Sequence, residues 1–187
     1  MLAAHQNFQM PTTNDHRPAS RIGYGFDSHE FHTGIPLKIG GIMLAHNKGL
    51  GGHSDGDVLL HAITDALLGA MAAPDIGALF PPSDPKWKGA DSAVFLREAL
   101  KRVREGGYSV ANIDASLILA APKIGPHAAE IRARVAELLD IHPDCVGLKA
   151  KTPEGLNLDN AAIAHVVVLL EAVKPAKKIT RKKKKKR

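Results

Sequence analysis

Between Arg21 and Val173, stretches with the two-residue periodicity of β-strands alternate with stretches that have the spacing of helices. Ile22, Tyr24 and Phe26 alternate with other residues as on a strand, and Gly40-Gly41 interrupts an apolar stretch as in a hairpin. We predict helices at about 57–71, 92–105 and 126–139, strands at 21–27, 108–119, 146–151 and 163–173, and a hairpin at 37–44. This alternation predicts an α+β domain (an α/β sandwich), with helices packed on one face of a mixed four-stranded sheet.

The two ends of the chain differ from its middle. Residues 1–20 are polar, contain Pro11 and Pro18 and lack periodicity, which predicts a flexible leader. Residues 174–187 hold ten of the 25 Lys and Arg residues, which leaves 15 basic residues against 19 acidic ones in the remainder. We therefore predict one domain at 21–173 and a basic, disordered tail at 174–187, through which nucleic acid binds only weakly.

Composition also bears on the compartment. Cys145 is the only cysteine, so neither an intrachain disulfide nor a cysteine-based zinc site can form within one chain. No apolar run approaches the ~18–20 residues of a membrane span, so we expect no membrane partner. A cytoplasmic, bacterial location fits these features, and the short, weakly amphipathic leader makes a plastid location less favoured.

Asp27-Ser28-His29 closes the first predicted strand. Residues two apart on a strand point to the same side, so the Asp27 carboxylate and the His29 imidazole project together and suit zinc. Taken alone, the pair is better explained as a turn aspartate beside a surface histidine.

The segment His53–His61 adds a third candidate ligand. Asp57, His61 and Asp65 are spaced to share one face of a helix for which Ser54 or Asp55 is the expected N-cap. His61 would supply a ligand that leaves a fourth position open, as in catalytic zinc sites, and Asp57 and Asp65 are candidates to orient it. The alternative is an ordinary solvated helix face.

Two predicted strands end in polar residues suited to phosphate. One ends at Ala121-Pro122-Lys123, and another runs from Lys149 through Lys151 and Thr152 to Glu154. Lysines and a threonine hydroxyl suit phosphate oxygens, and Glu154 beside them suits a bridging divalent cation such as magnesium. Each motif by itself is also compatible with a plain polar loop.

Taken in order, these motifs resemble the 2-C-methyl-D-erythritol 2,4-cyclodiphosphate synthase family. The resemblance runs from about residue 21 to 173, and its most specific part is the histidine-rich segment. It is carried by residues 25–29, 53–61, 64–69, 75–77, 88–92, 121–123 and 149–154.

The resemblance implies a lyase of the non-mevalonate pathway, which supplies isoprenoid (terpenoid) precursors. Its substrate is 4-diphosphocytidyl-2-C-methyl-D-erythritol 2-phosphate, whose 2-phosphate closes a cyclic diphosphate and expels CMP. The resemblance also implies a homotrimer with active sites between neighbouring subunits.

Carried over by position, the resemblance implies zinc at Asp27, His29 and His61 and magnesium or manganese at Glu154. His53 and Thr152 match transition-state stabilisers. The implied substrate contacts are Asp27, Ser28, His29, His53, Ser54, Asp75, Ile76, Gly77, Phe80, Pro81, Pro82, Ser83, Asp84, Leu119, Ala120, Ala121, Pro122, Lys123, Ile124, Gly125, Lys151, Thr152, Pro153 and Glu154.

One segment departs from the family pattern, because residues 156–162 lack the arginine that many members place at the trimer axis. We therefore expect no phosphate or isoprenoid ligand at that axis. Two other functions stay open from the sequence: a zinc phosphohydrolase that uses metal-bound water, and a non-catalytic trimeric module that tethers RNA through the tail.

Overall fold

The computed structural model describes residues 17–173. Its helices are α1 (Val58–Ala70), α2 (Ile76–Leu79), α3 (Ser92–Glu105) and α4 (Ala128–Leu139). Its strands are β1 (Ser20–Thr33), β2 (Leu37–Ile39), β3 (Ile42–Leu44), β4 (Lys48–Leu50), β5 (Tyr108–Leu119), β6 (Val146–Lys151) and β7 (Ala161–Ala172). One sheet has the order β4-β1-β7-β5-β6, and β2 and β3 form the expected hairpin beside it.

The sheet is mixed, as predicted, because β5 and β6 run parallel while its other neighbouring strands are antiparallel. The α+β class is confirmed. The prediction of four strands was wrong: β4 adds a fifth by pairing Lys48–Leu50 with residues 31–33 of β1. A three-residue edge strand with a central glycine carries too little periodicity to be seen in the sequence.

Several element boundaries also differ from the prediction. β1 continues six residues beyond Asp27, to Thr33, along β7 and β4. α1 is capped by Asp57, whose side chain accepts from Leu60 N, so neither Ser54 nor Asp55 is the N-cap. Residues 125–127 form a 3₁₀ turn, which delays the start of α4 to Ala128.

Two glycines let β1 lie directly against α1. A Cβ atom added to Gly23 would lie 1.8 Å from the carbonyl oxygen of Ala66, and one added to Gly25 would lie 1.9 Å from that of Ala62. Contacts below 3.0 Å are not found for real Cβ atoms, so only glycine permits this approach of strand to helix backbone. The contact fixes the position of β1 relative to the residues of α1.

α1 is buried almost all round. Its residues are buried except for His61, Asp65 and Gly69, which recur every four positions and form one narrow stripe. A helix that is apolar on nearly every side belongs inside a core. The two polar residues of this stripe are therefore the points at which α1 offers ionisable groups to its surroundings.

No helix within the described residues 17–173 covers the opposite face of the sheet. Ile22, Tyr24 and Phe26 of β1 and Val167 of β7 stay exposed there, by 72%, 58%, 48% and 44%. Large apolar residues grouped on one surface are typical of an interaction site.

The predicted leader and tail fall mostly outside the described residues, since residues 1–16 and 174–187 are not described. Residues 18 and 19 adjoin the sheet: Pro18 O accepts from the Tyr108 hydroxyl, and Ala19 O accepts from Ala172 N. Within residues 17–173, no helix is long and apolar enough to cross a membrane.

Candidate metal centre and adjoining pockets

The side chains of Asp27, His29 and His61 converge where β1 crosses α1. Asp27 Oδ2 lies 2.8 Å from His29 Nε2 and 3.0 Å from His61 Nδ1, and the two nitrogens lie 3.1 Å apart. Strand alternation puts the first two on the helix side of β1, and the glycine contacts bring His61 to them. The predicted cluster is therefore assembled by the fold, as the one group of three metal-ligating side chains found among the described residues.

The geometry of these three atoms fits a small divalent cation. In a tetrahedral zinc site with ~2.0–2.1 Å bonds, neighbouring ligand atoms lie roughly 3.3 Å apart, close to the spacing here. Two imidazoles and one carboxylate suit zinc, and three protein ligands leave one position for another ligand. The donor set thus supports a divalent metal site.

Contacts within the cluster shift the pKa values of Asp27 and His29. Burial raises the pKa of Asp27, but hydrogen bonds and charge interactions with His29 and His61 outweigh it and lower the pKa to about 2. Burial lowers the pKa of His29, but its hydrogen bond to Asp27 and that carboxylate's charge outweigh it, so the net shift is upward. Without metal, Asp27 and His29 therefore form an ion pair. A metal cation that binds here must displace the proton on His29 Nε2.

The other ring nitrogens of both histidines are also engaged. His29 Nδ1 donates to the carbonyl oxygen of Gly51 at 2.5 Å, which leaves Nε2 for the cluster. His61 Nε2 lies 2.8 Å from Ser92 Oγ and 3.0 Å from Ser54 Oγ. The sequence places Ser92 in the 88–92 segment of the family resemblance and at the start of a predicted helix, but neither pattern predicted its contact with His61.

Asp57 and Asp65 do not orient an imidazole through any described hydrogen bond. The buried Asp57 carboxylate accepts from the backbone N–H groups of Gly40, Gly41 and Leu60, at 2.9, 2.7 and 3.0 Å. Its pKa is raised by burial, which these three bonds only partly offset. Asp57 therefore ties the β2–β3 hairpin to the start of α1.

Asp65 lies one helical turn after His61 on α1. Its carboxylate accepts from Ile76 N at 2.8 Å, and burial raises its pKa. This bond holds the Asp75–Gly77 segment beside the metal cluster. Asp75 itself caps the short α2 by accepting from Ala78 N.

A pocket of about 110 Å³ adjoins His61. Its wall includes three aromatic rings, with Phe80 4.6 Å from Phe95 and 5.1 Å from Trp87 between centroids. The sequence did not predict Trp87 and Phe95 as pocket residues, since isolated aromatics do not reveal whether they face a pocket. The lining is His53, Ser54, His61, Ile76, Gly77, Phe80, Pro82, Trp87 and Phe95.

A second pocket, of about 360 Å³, lies at the ends of β5 and β6. The Thr152 hydroxyl donates to the Glu154 carboxylate there, and both residues are exposed. The lining is Leu119, Pro122, Lys123, Ile124, Gly125, Ala150, Lys151, Thr152 and Glu154. Lys149 does not line it: its ammonium pairs with Asp114, at 2.6 and 2.5 Å from the two carboxylate oxygens.

The two pockets share no lining residue, although they lie near the same end of the strands of the sheet. Within β7, Ala162 pairs with both His29 of β1 and Leu119 of β5, so one strand separates the metal cluster from the second pocket. The predicted substrate contacts that line a pocket therefore form two groups, one in each pocket. The remaining substrate candidates line neither pocket: Asp27, Ser28, His29, Asp75, Pro81, Ser83, Asp84, Ala120, Ala121 and Pro153.

Comparison with known proteins identifies similar chains. The YgbB family model matches residues 20–171. A 2-C-methyl-D-erythritol 2,4-cyclodiphosphate synthase of Koribacter versatilis is 70% identical over 151 residues, which cover 81% of this chain and 97% of that one. A chloroplastic synthase of the same name from Oryza sativa is 54% identical, over 80% of this chain and 69% of the other.

Solved structures agree with the sequence matches. One structure of 2C-methyl-D-erythritol-2,4-cyclodiphosphate synthase superposes with a TM-score of 0.77 at 46% identity, covering 81% of this chain and all of that one. A second, in a form bound to CDP, also gives a TM-score of 0.77, at 44% identity and the same coverage.

Proposed function

The chain belongs to the YgbB family, and from this membership together with its Asp27–His29–His61 cluster we infer that it is a 2-C-methyl-D-erythritol 2,4-cyclodiphosphate synthase. Such a lyase converts 4-diphosphocytidyl-2-C-methyl-D-erythritol 2-phosphate into the cyclic diphosphate and CMP, within non-mevalonate isoprenoid synthesis. An oxygen of the 2-phosphate bonds to the β-phosphorus, while the bond from that phosphorus to the bridging oxygen breaks. The bridging oxygen leaves with CMP, so no water is consumed.

Both phosphates belong to one substrate, so the enzyme's task is to hold them in line and to stabilise the charge that develops. Asp27, His29 and His61 would hold zinc, which when bound supplies a Lewis acid for a β-phosphate oxygen. The single observation that carries this assignment is the convergence of three donor atoms within 3.1 Å of one another.

Residues of the second pocket suit the phosphates and the nucleotide. Lys123 and Lys151 supply positive charge, and the Thr152 hydroxyl supplies a donor once its bond to Glu154 is exchanged for one to phosphate. Glu154 would be a ligand of a magnesium or manganese ion, which when bound would offset the negative charge of the diphosphate. The cytosine would lie along residues 119–125 of this pocket. The related structure bound to CDP supports a cytidine nucleotide as ligand.

The pocket beside His61 suits the carbon chain of the substrate. Its aromatic wall is apolar, while the backbone of Ile76 and Gly77 in its lining, and Asp75 next to them in the chain, offer polar groups for hydroxyls. His53 is exposed at the mouth of this pocket, 3.5 Å from Asp84 O, and stays free to approach a phosphate as a charge stabiliser.

We assign the active assembly as a homotrimer with sites between subunits. Two observations support it: the residue groups lie in separate pockets of one chain, and Ile22, Tyr24 and Phe26 form an uncovered apolar surface. Light scattering coupled to size exclusion should give three times the mass of one chain. Mixing inactive His61→Ala with inactive Thr152→Ala subunits should restore partial turnover, whereas sites within single subunits would stay inactive.

We place the protein in a bacterial cytoplasm. Its 70% identity to a bacterial relative exceeds its 54% identity to a chloroplastic one. Fractionation of the source cells, with antibody to the chain, tests this location.

The experiment that decides the function is product analysis by phosphorus NMR. The expected product is the cyclic diphosphate, formed with one equivalent of CMP. The same metal donors would also serve a zinc phosphohydrolase, and an open-chain product containing oxygen from ¹⁸O-labelled water would establish that reaction instead. Unchanged function in His61→Ala would favour the non-catalytic module.

A further inference from the structure

A chain of polar contacts runs outward from the second nitrogen of His61. Ser92, the fully buried first residue of α3, places its hydroxyl oxygen 2.8 Å from His61 Nε2. The same hydroxyl donates to Asp55 Oδ1, and the backbone N–H of Ser92 donates to Asp55 Oδ2 at 3.2 Å. Each carboxylate oxygen of Asp55 therefore accepts one hydrogen bond from Ser92.

The chain ends in a cation. Lys38 Nζ on β2 donates to Asp55 Oδ2 at 2.7 Å and to Asp91 Oδ1 at 3.0 Å. Burial lowers the pKa of Lys38, but its two carboxylate partners outweigh burial and raise it. A charged ammonium thus closes the network on the side away from His61.

The chemistry of the groups fixes the direction of these bonds. The Asp55 carboxylate can only accept, so the Ser92 hydroxyl gives its hydrogen to Asp55 and turns a lone pair toward His61. A metal bound at Nδ1 of His61 would leave the ring proton on Nε2, and Nε2 would then donate a hydrogen bond to this lone pair of Ser92. Nδ1 is the atom that lies 3.0 Å from Asp27 Oδ2 in the cluster.

We propose that Ser92 and Asp55 are positioning residues, which fix the tautomer and ring orientation of His61 and thereby raise the metal affinity of the cluster. This inference rests on the proposed metal site at Asp27, His29 and His61. Partners of this kind typically account for about 10- to 100-fold in metal affinity. The Ser54 hydroxyl oxygen lies 3.0 Å from the same nitrogen and can accept its hydrogen bond when Ser92 cannot.

The test measures zinc affinity on full-length protein stripped of metal, by competition with a chromophoric chelator. Ser92→Ala and Asp55→Asn should each weaken zinc binding about 10-fold, and Ser54→Ala combined with Ser92→Ala should approach 100-fold. Asp91→Asn is the matched control: it removes the other carboxylate beside Lys38, retains an N-cap residue for α3, and does not touch the Ser92 hydroxyl. It should bind zinc within twofold of wild type.

A second readout separates positioning from a general loss of stability. In the zinc-loaded wild type, nitrogen-edited NMR should show a His61 Nε2–H proton protected from solvent exchange. Ser92→Ala should lose that protection while its melting temperature stays close to that of Asp91→Asn. If Asp55→Asn fails to fold, Ser92→Ala alone decides.

The outcomes distinguish this inference from the function on which it rests. Wild type that binds zinc, with Ser92→Ala and Asp55→Asn within twofold of it, overturns the positioning role. Equal weakening by Asp91→Asn also overturns it, since a general charge effect would then suffice. Wild type that binds no zinc overturns the metal site itself.

Discussion

Gly25 lies so close to Ala62 that a Cβ atom on the glycine would be 1.9 Å from the alanine carbonyl oxygen. Asp27 and His29 follow Gly25 on β1, and His61 immediately precedes Ala62 on α1. This contact therefore sets the distance between the two elements that supply the three metal donors. The site depends on a residue that has no side chain.

Replacing Gly25 with Ala should destabilise the fold by about 3 kcal/mol, because rigid backbone on both sides cannot yield to the new methyl group. Zinc affinity should fall as well, because β1 must move away from α1. Urea denaturation and chelator competition measure the two effects. Gly69→Ala on the same helix is the control: its nearest contact would be an ordinary 3.6 Å, so stability should rise by up to ~1 kcal/mol.

Asp57→Ala should lower the free energy of unfolding by about 3 kcal/mol or more, since it leaves three backbone N–H groups without their partner in a buried position. Asp75→Ala, which removes an exposed cap, should cost at most about 1 kcal/mol. Equal losses in urea denaturation would contradict the assignment of Asp57 to the hairpin-to-helix connection.

Metal-free protein and metal binding should respond to pH in opposite directions. The raised pKa of His29 stabilises the metal-free fold below its ordinary value of 6.5, and this stability is lost as pH rises through the folded pKa. The lowered pKa of Asp27 stabilises the fold above its ordinary 3.8 and is lost as pH falls toward 2.

Zinc affinity should instead increase as pH rises through the raised pKa of His29, because zinc must displace the proton on Nε2. Thermal melts of metal-free protein and zinc titrations from pH 5.5 to 8 check both trends. His29→Gln should flatten the fall in metal-free stability above pH 6.5. A zinc affinity independent of pH across that range would refute the ion-pair description of the empty cluster.

Glu154→Gln should lower turnover about 100-fold by weakening magnesium binding, while leaving zinc affinity unchanged because Glu154 is not one of the three side chains of the cluster. Turnover against magnesium concentration and metal analysis of the purified protein separate the two ions. Glu171→Gln, an exposed change near the end of β7, should alter neither.

Deleting residues after Pro175 should leave turnover within twofold of the full chain. The deleted residues lie outside the described part, and Val173, which donates to Gly107 O at 2.9 Å, is retained. Binding to single-stranded RNA should weaken and lose much of its salt dependence, since the deletion removes nine of the ten basic residues at 174–187. A large loss of turnover would assign the tail to the active assembly.

The sequence predicted most of the long helices and strands. How well their boundaries were predicted depends on the sequence signal at each end. Ser92–Glu105 and Tyr108–Leu119 were predicted with their observed boundaries, because long periodic stretches end at clear caps and glycines. β4 was missed because three residues carry no periodicity, and the N-cap of α1 was misplaced among several adjacent polar candidates.

By itself the sequence determined the donor chemistry: residue type fixes what Asp27, His29 and His61 can bind, and alternation on a strand puts the first two on one side. Tertiary structure decided which groups surround them. Ser92 reaches His61 across 31 positions, and Asp57 serves the hairpin because Gly40 and Gly41 fold back onto it. Hydrogen bonds between distant segments depend on how elements pack, and local periodicity carries no record of that packing.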